Sequence, residues 1–200
     1  MRLLSQPRTA PPHVNPTHPI ETYGRPIILI GLMGCGKTTV GKLISKRTGM
    51  PLLDMDSVIE EQVGKSIPEI FAQEGEEHFR TLETALLQYL VDKPSGMPAV
   101  ISTGGGVVKR PENCKLLRRL GYVVWLNVSV KMLLHRTARA NNRPLLQTED
   151  REATLRRLLD QRRYLYATTA HLRMNTTHVE VGEVCRRVCN AAEKYFARHH

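Results

Sequence analysis

The sequence predicts an α/β fold built on a parallel sheet, on three observations. From Pro26 onward, short apolar runs alternate with longer segments of helical periodicity, the pattern of β-α units that feed a parallel sheet. A glycine-rich turn ending in Lys37-Thr38 directly follows the first of these runs, where such a sheet places its phosphate-binding turn. Length agrees: 200 residues, 41% hydrophobic and 24% charged, fit one domain with some chain left over.

Each element can be justified in order. Residues 1–24 carry Pro7, Pro11, Pro12, Pro16 and Pro19 among Ser, Thr, His and Asn, a composition that cannot bury a core. They read as a flexible extension whose removal leaves activity intact, and residues 25–200 read as a single domain. Few acidic residues, with Arg2 and Arg8, also fit an organellar transit peptide, but this density of proline spoils the amphipathic helix such a peptide forms. Ile27–Ile30 is the first buried strand; 51–53, 99–101 and 122–128 are the next three, and 171–174 is a weaker fifth. Between them, Val40, Leu43 and Ile44 share one helical face, Ser66-Ile67-Pro68-Glu69 is a capping box with proline in the first turn, and Phe79, Leu82, Leu86 and Leu87 recur at helical spacing. Residues 153–163 and 183–196 give two further helices.

Twenty-nine Lys and Arg against nineteen Asp and Glu leave a net charge of +10, so the partners are expected to be anions. Aromatic residues make up 5%, which weighs against a single-strand nucleic-acid binder that lays bases on exposed rings. The excess charge is local: residues 109–163 hold fourteen basic and five acidic side chains, a net +9. No apolar run reaches the length of a membrane span and no secretory signal is evident, so a cytoplasmic protein without a membrane partner is expected. Cys35, Cys114, Cys185 and Cys189 are too few and scattered for a disulfide framework. The Cys185/Cys189 pair, with His199 and His200 beyond, lacks the second half of a zinc pattern.

Gly31-Leu32-Met33-Gly34-Cys35-Gly36-Lys37-Thr38 satisfies the phosphate-loop pattern. Its glycines let consecutive N–H groups turn inward onto an anion, and the following helix adds the positive end of its dipole. Lys37 supplies charge for the β- and γ-phosphates, Thr38 a hydroxyl for Mg²⁺, and Thr39 reaches the α-phosphate side. The motif alone says that a nucleoside triphosphate binds; it does not separate a kinase from a GTPase or a motor. Cys35, beside Lys37 and a helix N-terminus, reads either as a thiol open to oxidation or as a small side chain filling a permissive position.

Three further clusters point to a second substrate. Asp54 and Asp56 stand at i and i+2 where the second strand ends, as ligand-facing carboxylates or as helix caps. Arg80 and Glu83, three apart, form either a functional pair or a solvated helical ion pair. Ser102-Thr103-Gly104-Gly105-Gly106 follows the third strand, and three glycines allow a very close approach of backbone to a ligand. The stretch Arg139-Ala140-Asn141-Asn142-Arg143-Pro144 interrupts helical periodicity, as a mobile lid at about 139–149 does, or as a plain helix connection does.

Taken in register, these pieces resemble the shikimate kinases: the loop from Gly31 through Gly41, Asp54-Met55-Asp56 with Ile59-Glu60, Ile67-Pro68-Glu69-Ile70-Phe71, Gly75-Glu76 through Phe79-Arg80 and Glu83, Thr103 to Gly106, and Arg143-Pro144-Leu145-Leu146. The resemblance implies a phosphate-loop NTPase fold of the nucleoside-monophosphate-kinase type, an α/β fold of three layers with helices on both faces of a five-stranded parallel sheet, and ATP-dependent phosphorylation of the shikimate 3-hydroxyl, a step of aromatic amino acid biosynthesis. It also implies Mg²⁺ as cofactor, with ATP and shikimate as the partners of a monomer that binds neither nucleic acid nor membrane. Carried over position by position, Lys37, Asp56 and Arg143 would be catalytic. Gly34, Cys35, Gly36, Lys37, Thr38, Thr39, Arg136 and Arg143 would bind the nucleotide, with Arg136 beside adenine. Asp56, Arg80, Gly104, Gly105, Gly106 and Arg162 would hold shikimate, and Thr38 and Asp54 the metal. Where the family reads Arg-x-Pro-Leu-Tyr this chain has Arg162-Arg163-Tyr164-Leu165-Tyr166, so Arg163 is the alternative carboxylate ligand, and 175–179 shows no clear adenine contact. Two competing functions remain open on the residues alone. A gluconate kinase would share the phosphate loop but has no reason to combine the paired aspartates, Arg80 and the triple glycine; a basic nucleic-acid-binding protein would show a recognition module, and none is evident.

Overall fold

In the computed structural model, which describes residues 17–93, 96–138, 148 and 150–199, five strands form one parallel sheet in the order β2-β3-β1-β4-β5. They are β1 (Ile27–Ile30), β2 (Leu52–Asp54), β3 (Val100–Ser102), β4 (Tyr122–Asn127) and β5 (Leu172–Asn175). β2, β3 and β5 each begin and end one residue later than the apolar runs predict. Pro51, Ala99 and Val123 accept through their carbonyls, from Val100 (2.8 Å), Ile27 (2.9 Å) and His171 (2.8 Å), and Pro51 has no N–H with which to join a ladder. The shift carries Asp54, Ser102 and Asn175 to the carboxyl edge of the sheet, where open α/β folds bind their ligands.

β1 is buried on both sides, as a central parallel strand must be. Ile27 and Leu29 face a core shared with Val40 and Ile44 of α1 (Lys37–Thr48) and Val184 and Val188 of α7 (Val181–Phe196). Ile28 and Ile30 face the opposite core, with Phe79, Leu86 and Leu87 of α3 (Ile67–Val91), Leu117 of α4 (Pro111–Leu120) and Tyr166 of α6 (Arg151–Thr169). α2 (Met55–Val63) and α5 (Val130–Thr137) complete the helices, and a short 3-10 turn spans Val107–Lys109. The predicted capping box starts α3: the Ser66 N–H donates to Glu69 Oε2 at 2.8 Å. The helix then bends at Gly75 (φ 84°, ψ 168°), which re-aims the turn carrying Glu76, Arg80 and Glu83. α6 runs beyond the expected 153–163 because Asp150 caps it early, accepting from the Ala153 N–H at 2.8 Å, and because Tyr164 keeps the N–H that a proline would lack. Among the described residues no helix is long and apolar enough to cross a membrane.

Residues 17–24 depart from the flexible extension expected over 1–24. The His18 N–H donates to the Arg47 carbonyl at 2.9 Å, Ile20 packs against the α1/α7 core, Thr22 is 2% exposed, and the Gly24 carbonyl accepts from Met97. A buried side chain and paired backbone override a composition that looked too polar to order. Relative to a chain starting at Thr17, one starting at Arg25 should therefore unfold about 3–6 °C lower, for a loss of about 1–2 kcal/mol, with kcat unchanged at room temperature; thermal melts and a turnover assay check both.

At the opposite edge of the sheet from the site, His171 accepts the Val123 N–H at 3.0 Å on Nδ1 and stacks on Tyr122, with ring centroids 5.8 Å apart. Burial, then the charges of Arg118 and Arg25, push its pKa down to about 4. The unfolded chain binds this proton below about pH 6.5 and the folded one does not until about pH 4. His171 thus withdraws stability as pH falls through that window, by about 2 kcal/mol after allowance for its partial exposure. Urea unfolding of the wild type and of His171→Gln at about pH 7 and 4.5 isolates this contribution: stability of the wild type relative to the variant should fall by about 2 kcal/mol between the two pH values, because other titrating groups contribute equally to both.

Candidate active site

The phosphate loop joins β1 to α1. Gly31, Gly34 and Gly36 all take positive φ (141°, 79° and 100°), and a Cβ on Gly34 would stand 2.6 Å from the Thr137 methyl of α5, so geometry and space both require glycine there. Lys37 is 9% exposed; its Nζ donates to the carbonyls of Gly31 (2.8 Å) and Leu32 (3.2 Å), on the inner rim of the loop. Cys35 is 2% exposed, with Sγ 3.8 Å from Lys37 Nζ, which fits a side chain that fills the loop rather than one presented to an oxidant. Arg136 of α5 donates from Nη1 to the Cys35 carbonyl at 3.4 Å and so lies along the outer side of the loop.

β2 ends on Asp54, whose two oxygens do different work. Oδ1 accepts the Asp56 N–H at 3.2 Å as the N-cap of α2, and Oδ2 accepts from Thr38 Oγ1 at 2.9 Å. Capping and ligand-facing roles, alternatives on the sequence, are both occupied. Thr38 Oγ1 also lies 3.2 Å from Ser102 Oγ, so three hard oxygen donors converge at the mouth of the loop. A small divalent cation such as Mg²⁺ favours such donors, with water completing the shell. No group of three His, Cys, Asp or Glu side chains suited to a metal occurs among the described residues, so no zinc-type centre competes, and Cys185 and Cys189 are buried in the α7 core.

The third corner is ionic. Arg80, 4% exposed, donates from Nε and Nη2 to Glu76 Oε1 (3.2 and 2.8 Å) and from Nη1 to Glu83 Oε2 (2.5 Å). Lys109 Nζ shares Glu76 Oε1 at 2.8 Å. The pair expected either as functional or as solvated is a buried one: Glu83 is fully enclosed. Burial raises the Glu76 pKa, but the hydrogen bonds and charges of Lys109 and Arg80 outweigh it and hold the group at about 2. In Glu83 burial prevails over the Arg80 charge, Asp56 adds to it, and the pKa rises to about 7. The glycine loop closes the corner. Arg162 Nη1 and Tyr166 Oη, one turn apart on α6, both donate to the Gly105 carbonyl (3.2 and 2.5 Å), and Arg162 is 3% exposed. Arg163 pairs with Asp160 on the exposed side of the same helix at 3.5 Å, so of the two alternatives it is Arg162 that reaches the loop.

A cavity of about 490 Å³ runs along this edge, lined by residues 34–40, Asp54, Asp56, Ser102, Thr103 and Gly105, then by Arg136, Thr176, Val179, Val181 and Val184 at its far end. Thr176 and Val179 fall within the stretch 175–179 that gave no clear contact on the sequence. Ser102, Glu76 and Tyr166 stand within the motifs read from the sequence but carry no assigned role there, and Lys109 belongs to none of those motifs. The spacing of Glu76, Arg80 and Glu83 on one helical face carried a signal for the first carboxylate, and Tyr166 lies one turn after Arg162; nothing near Lys109 in sequence marks it. Arg143 and the expected lid at about 139–149 lie outside the described residues, apart from Thr148.

Comparison with known proteins gives a consistent picture. A family model described as shikimate kinase matches residues 33–193. A shikimate kinase of Marinomonas sp. (strain MWYL1) is 44% identical over 169 residues, 84% of this chain and 92% of that protein. The solved shikimate kinase from Acinetobacter baumannii in complex with shikimate is 38% identical, superposes with a TM-score of 0.81, and covers 86% of this chain and 94% of that one. A gluconokinase from Sinorhizobium meliloti, at 16% identity and a TM-score of 0.54 over 90% of this chain and all of that one, shares the fold alone.

Proposed function

The chain belongs to the shikimate kinase family, and from that premise we propose that it transfers the γ-phosphoryl group of ATP to the 3-hydroxyl of shikimate. The observation that carries this reading is that a phosphate loop and the Asp54/Asp56 pair line one cavity, while the buried Arg80 packs against the glycine loop whose Gly105 joins that lining. Shikimate is a small anionic triol. Its planar carboxylate calls for guanidinium donors, here Arg80 and Arg162, and its hydroxyls call for an acceptor such as Asp56, with the Gly104–Gly106 backbone in close approach. ATP enters over residues 34–39. Lys37 Nζ exchanges its carbonyl partners for β- and γ-phosphate oxygens, the loop N–H groups cradle the phosphates, and adenine lies between Arg136 and the Thr176–Val179 end of the cavity.

Mg²⁺ on Thr38 and Asp54, with Ser102 beside them, supplies charge neutralisation for the phosphates when bound. The protein's own part is alignment: phosphoryl transfer has little covalent chemistry for side chains to do, so holding the hydroxyl in line with the γ-phosphorus supplies much of the rate. Asp56 orients that hydroxyl and takes its proton as the new P–O bond forms. Arg143 would close over the phosphates from the lid and exclude the water that otherwise hydrolyses ATP. We read residues 25–200, with the docked strap from Thr17, as the catalytic unit, acting as a cytoplasmic monomer that binds neither nucleic acid nor membrane. A coupled ADP-release assay tests the function. Release that depends on both shikimate and Mg²⁺ is expected, with gluconate and nucleoside monophosphates inert; equal turnover of gluconate would overturn it.

A further inference from the structure

Arg80 is shared by more carboxylates than it can neutralise. Of its five N–H donors, Glu76 takes two and Glu83 one, which leaves one on each terminal nitrogen for the acceptor's carboxylate. Glu83 uses only Oε2 in this pairing. Oε1 is buried and has no hydrogen-bond partner among the described residues. It points at Gly104, 2.5 Å from the position a Cβ there would occupy, and Asp56 Oδ1 reaches within 2.8 Å of that same position from α2. A buried carboxylate with one oxygen unpaired and a second carboxylate close by is an unfavourable arrangement unless a proton is available.

We propose that Glu83 takes up one proton from solvent as the acceptor's carboxylate settles on Arg80, and returns it when the product leaves. The charged groups around Glu83 are Arg80 on its own helix, with Glu76 beyond it, Asp56 on α2 and Arg162 on α6; the glycine loop contributes only backbone. With Lys109, the corner holds three cations and three carboxylates, so while Glu83 is ionised it is neutral before the anionic substrate arrives and carries an excess negative charge afterwards. Sharing Arg80 with a third carboxylate weakens its hold on ionised Glu83, and protonation removes the excess. The proton also makes Oε1 a donor, which gives the unpaired oxygen a hydrogen bond to make toward Asp56 or the substrate hydroxyls. Glu83 is thus a positioning residue, acting through Arg80 and Asp56. This inference rests on the reading of Arg80 as the carboxylate anchor.

Calorimetric titration of the full chain with shikimate, in buffers of different ionisation enthalpy, counts the protons. Uptake close to one proton is expected at about pH 8 and only a small fraction at about pH 6, where Glu83 is already protonated; the dissociation constant should rise about fivefold between about pH 7 and 8. Glu83→Gln should abolish the uptake and hold the constant within about twofold across that range. Should the variant fail to fold, infrared difference spectra of the wild-type chain with carboxyl-¹³C glutamate decide the matter: a protonated glutamate band must appear on shikimate binding, separate from Asp56. Shikimate binding without uptake at about pH 8, uptake that survives in Glu83→Gln, or no such band would overturn the proposal while leaving the kinase reading intact. A chain that bound no shikimate would overturn that reading, and this inference with it.

Discussion

Asp56→Asn should lower kcat with shikimate by about 10²- to 10⁴-fold, equivalent to about 3–5 kcal/mol of transition-state stabilisation, while KM for ATP changes little. Asparagine keeps the size and the backbone, so α2 still starts on its Asp54 cap, whose bond runs to the Asp56 N–H rather than to its side chain. What is lost is the charge and the proton acceptor beside the glycine loop. The ATP side keeps its own carboxylate, because the Thr38 hydroxyl donates to Asp54. Steady-state kinetics with each substrate varied in turn check the split. A kcat within a few-fold of wild type would mean that this aspartate neither aligns nor deprotonates the hydroxyl. The same variant has a second readout. The Asp56 charge helps to raise the Glu83 pKa, so its removal should let Glu83 ionise at lower pH and move the onset of the pH-dependent loss of shikimate affinity downward.

The phosphate loop and the Asp54/Asp56 pair were legible in the sequence because each is set by a run of neighbours: a strand, a turn of fixed length and a helix start. The ionic corner was legible only in part. The i, i+3 spacing of Arg80 and Glu83 says that they can meet, yet the same spacing serves a solvated pair. What decides between the two is the glycine loop after β3, which arrives from more than twenty residues away and seals Glu83 from water. Lys109 joins through the 3-10 turn that follows that loop, an approach that no local pattern announces. The strap at 17–24 differs from its expectation for the complementary reason: its proline-rich composition describes what the segment can bury alone, whereas Ile20 packs on a core that α1, α7 and the sheet provide and Thr22 is buried in the folded chain. Elements fixed by local periodicity survive the passage to three dimensions, and groups whose state depends on distant cover do not.

Gly106→Ala should raise KM for shikimate by about 30- to 1,000-fold, a loss of about 2–4 kcal/mol in carboxylate binding, with nucleotide affinity within about twofold of wild type. Gly106 has a φ of −101°, which any residue adopts, so backbone strain is not the cause. The cause is space: a Cβ at this position would overlap the Arg80 guanidinium. A free arginine would swing aside at small cost, but Arg80 is 4% exposed and pinned by Glu76 and Glu83. Either the pairing breaks or the loop moves off its Arg162 and Tyr166 anchors, and in both cases the two remaining N–H donors no longer face the acceptor. Arg80→Lys offers a second route to the same loss, since an ammonium cannot serve two carboxylates and a third in one plane. If the methyl acts through Arg80, the double variant Gly106→Ala/Arg80→Lys should cost no more than the worse of the two singles, an interaction energy of the size expected for residues in contact. Additive losses would mean that the glycine is needed for the direct approach of backbone to shikimate, and that its fit against Arg80 is incidental.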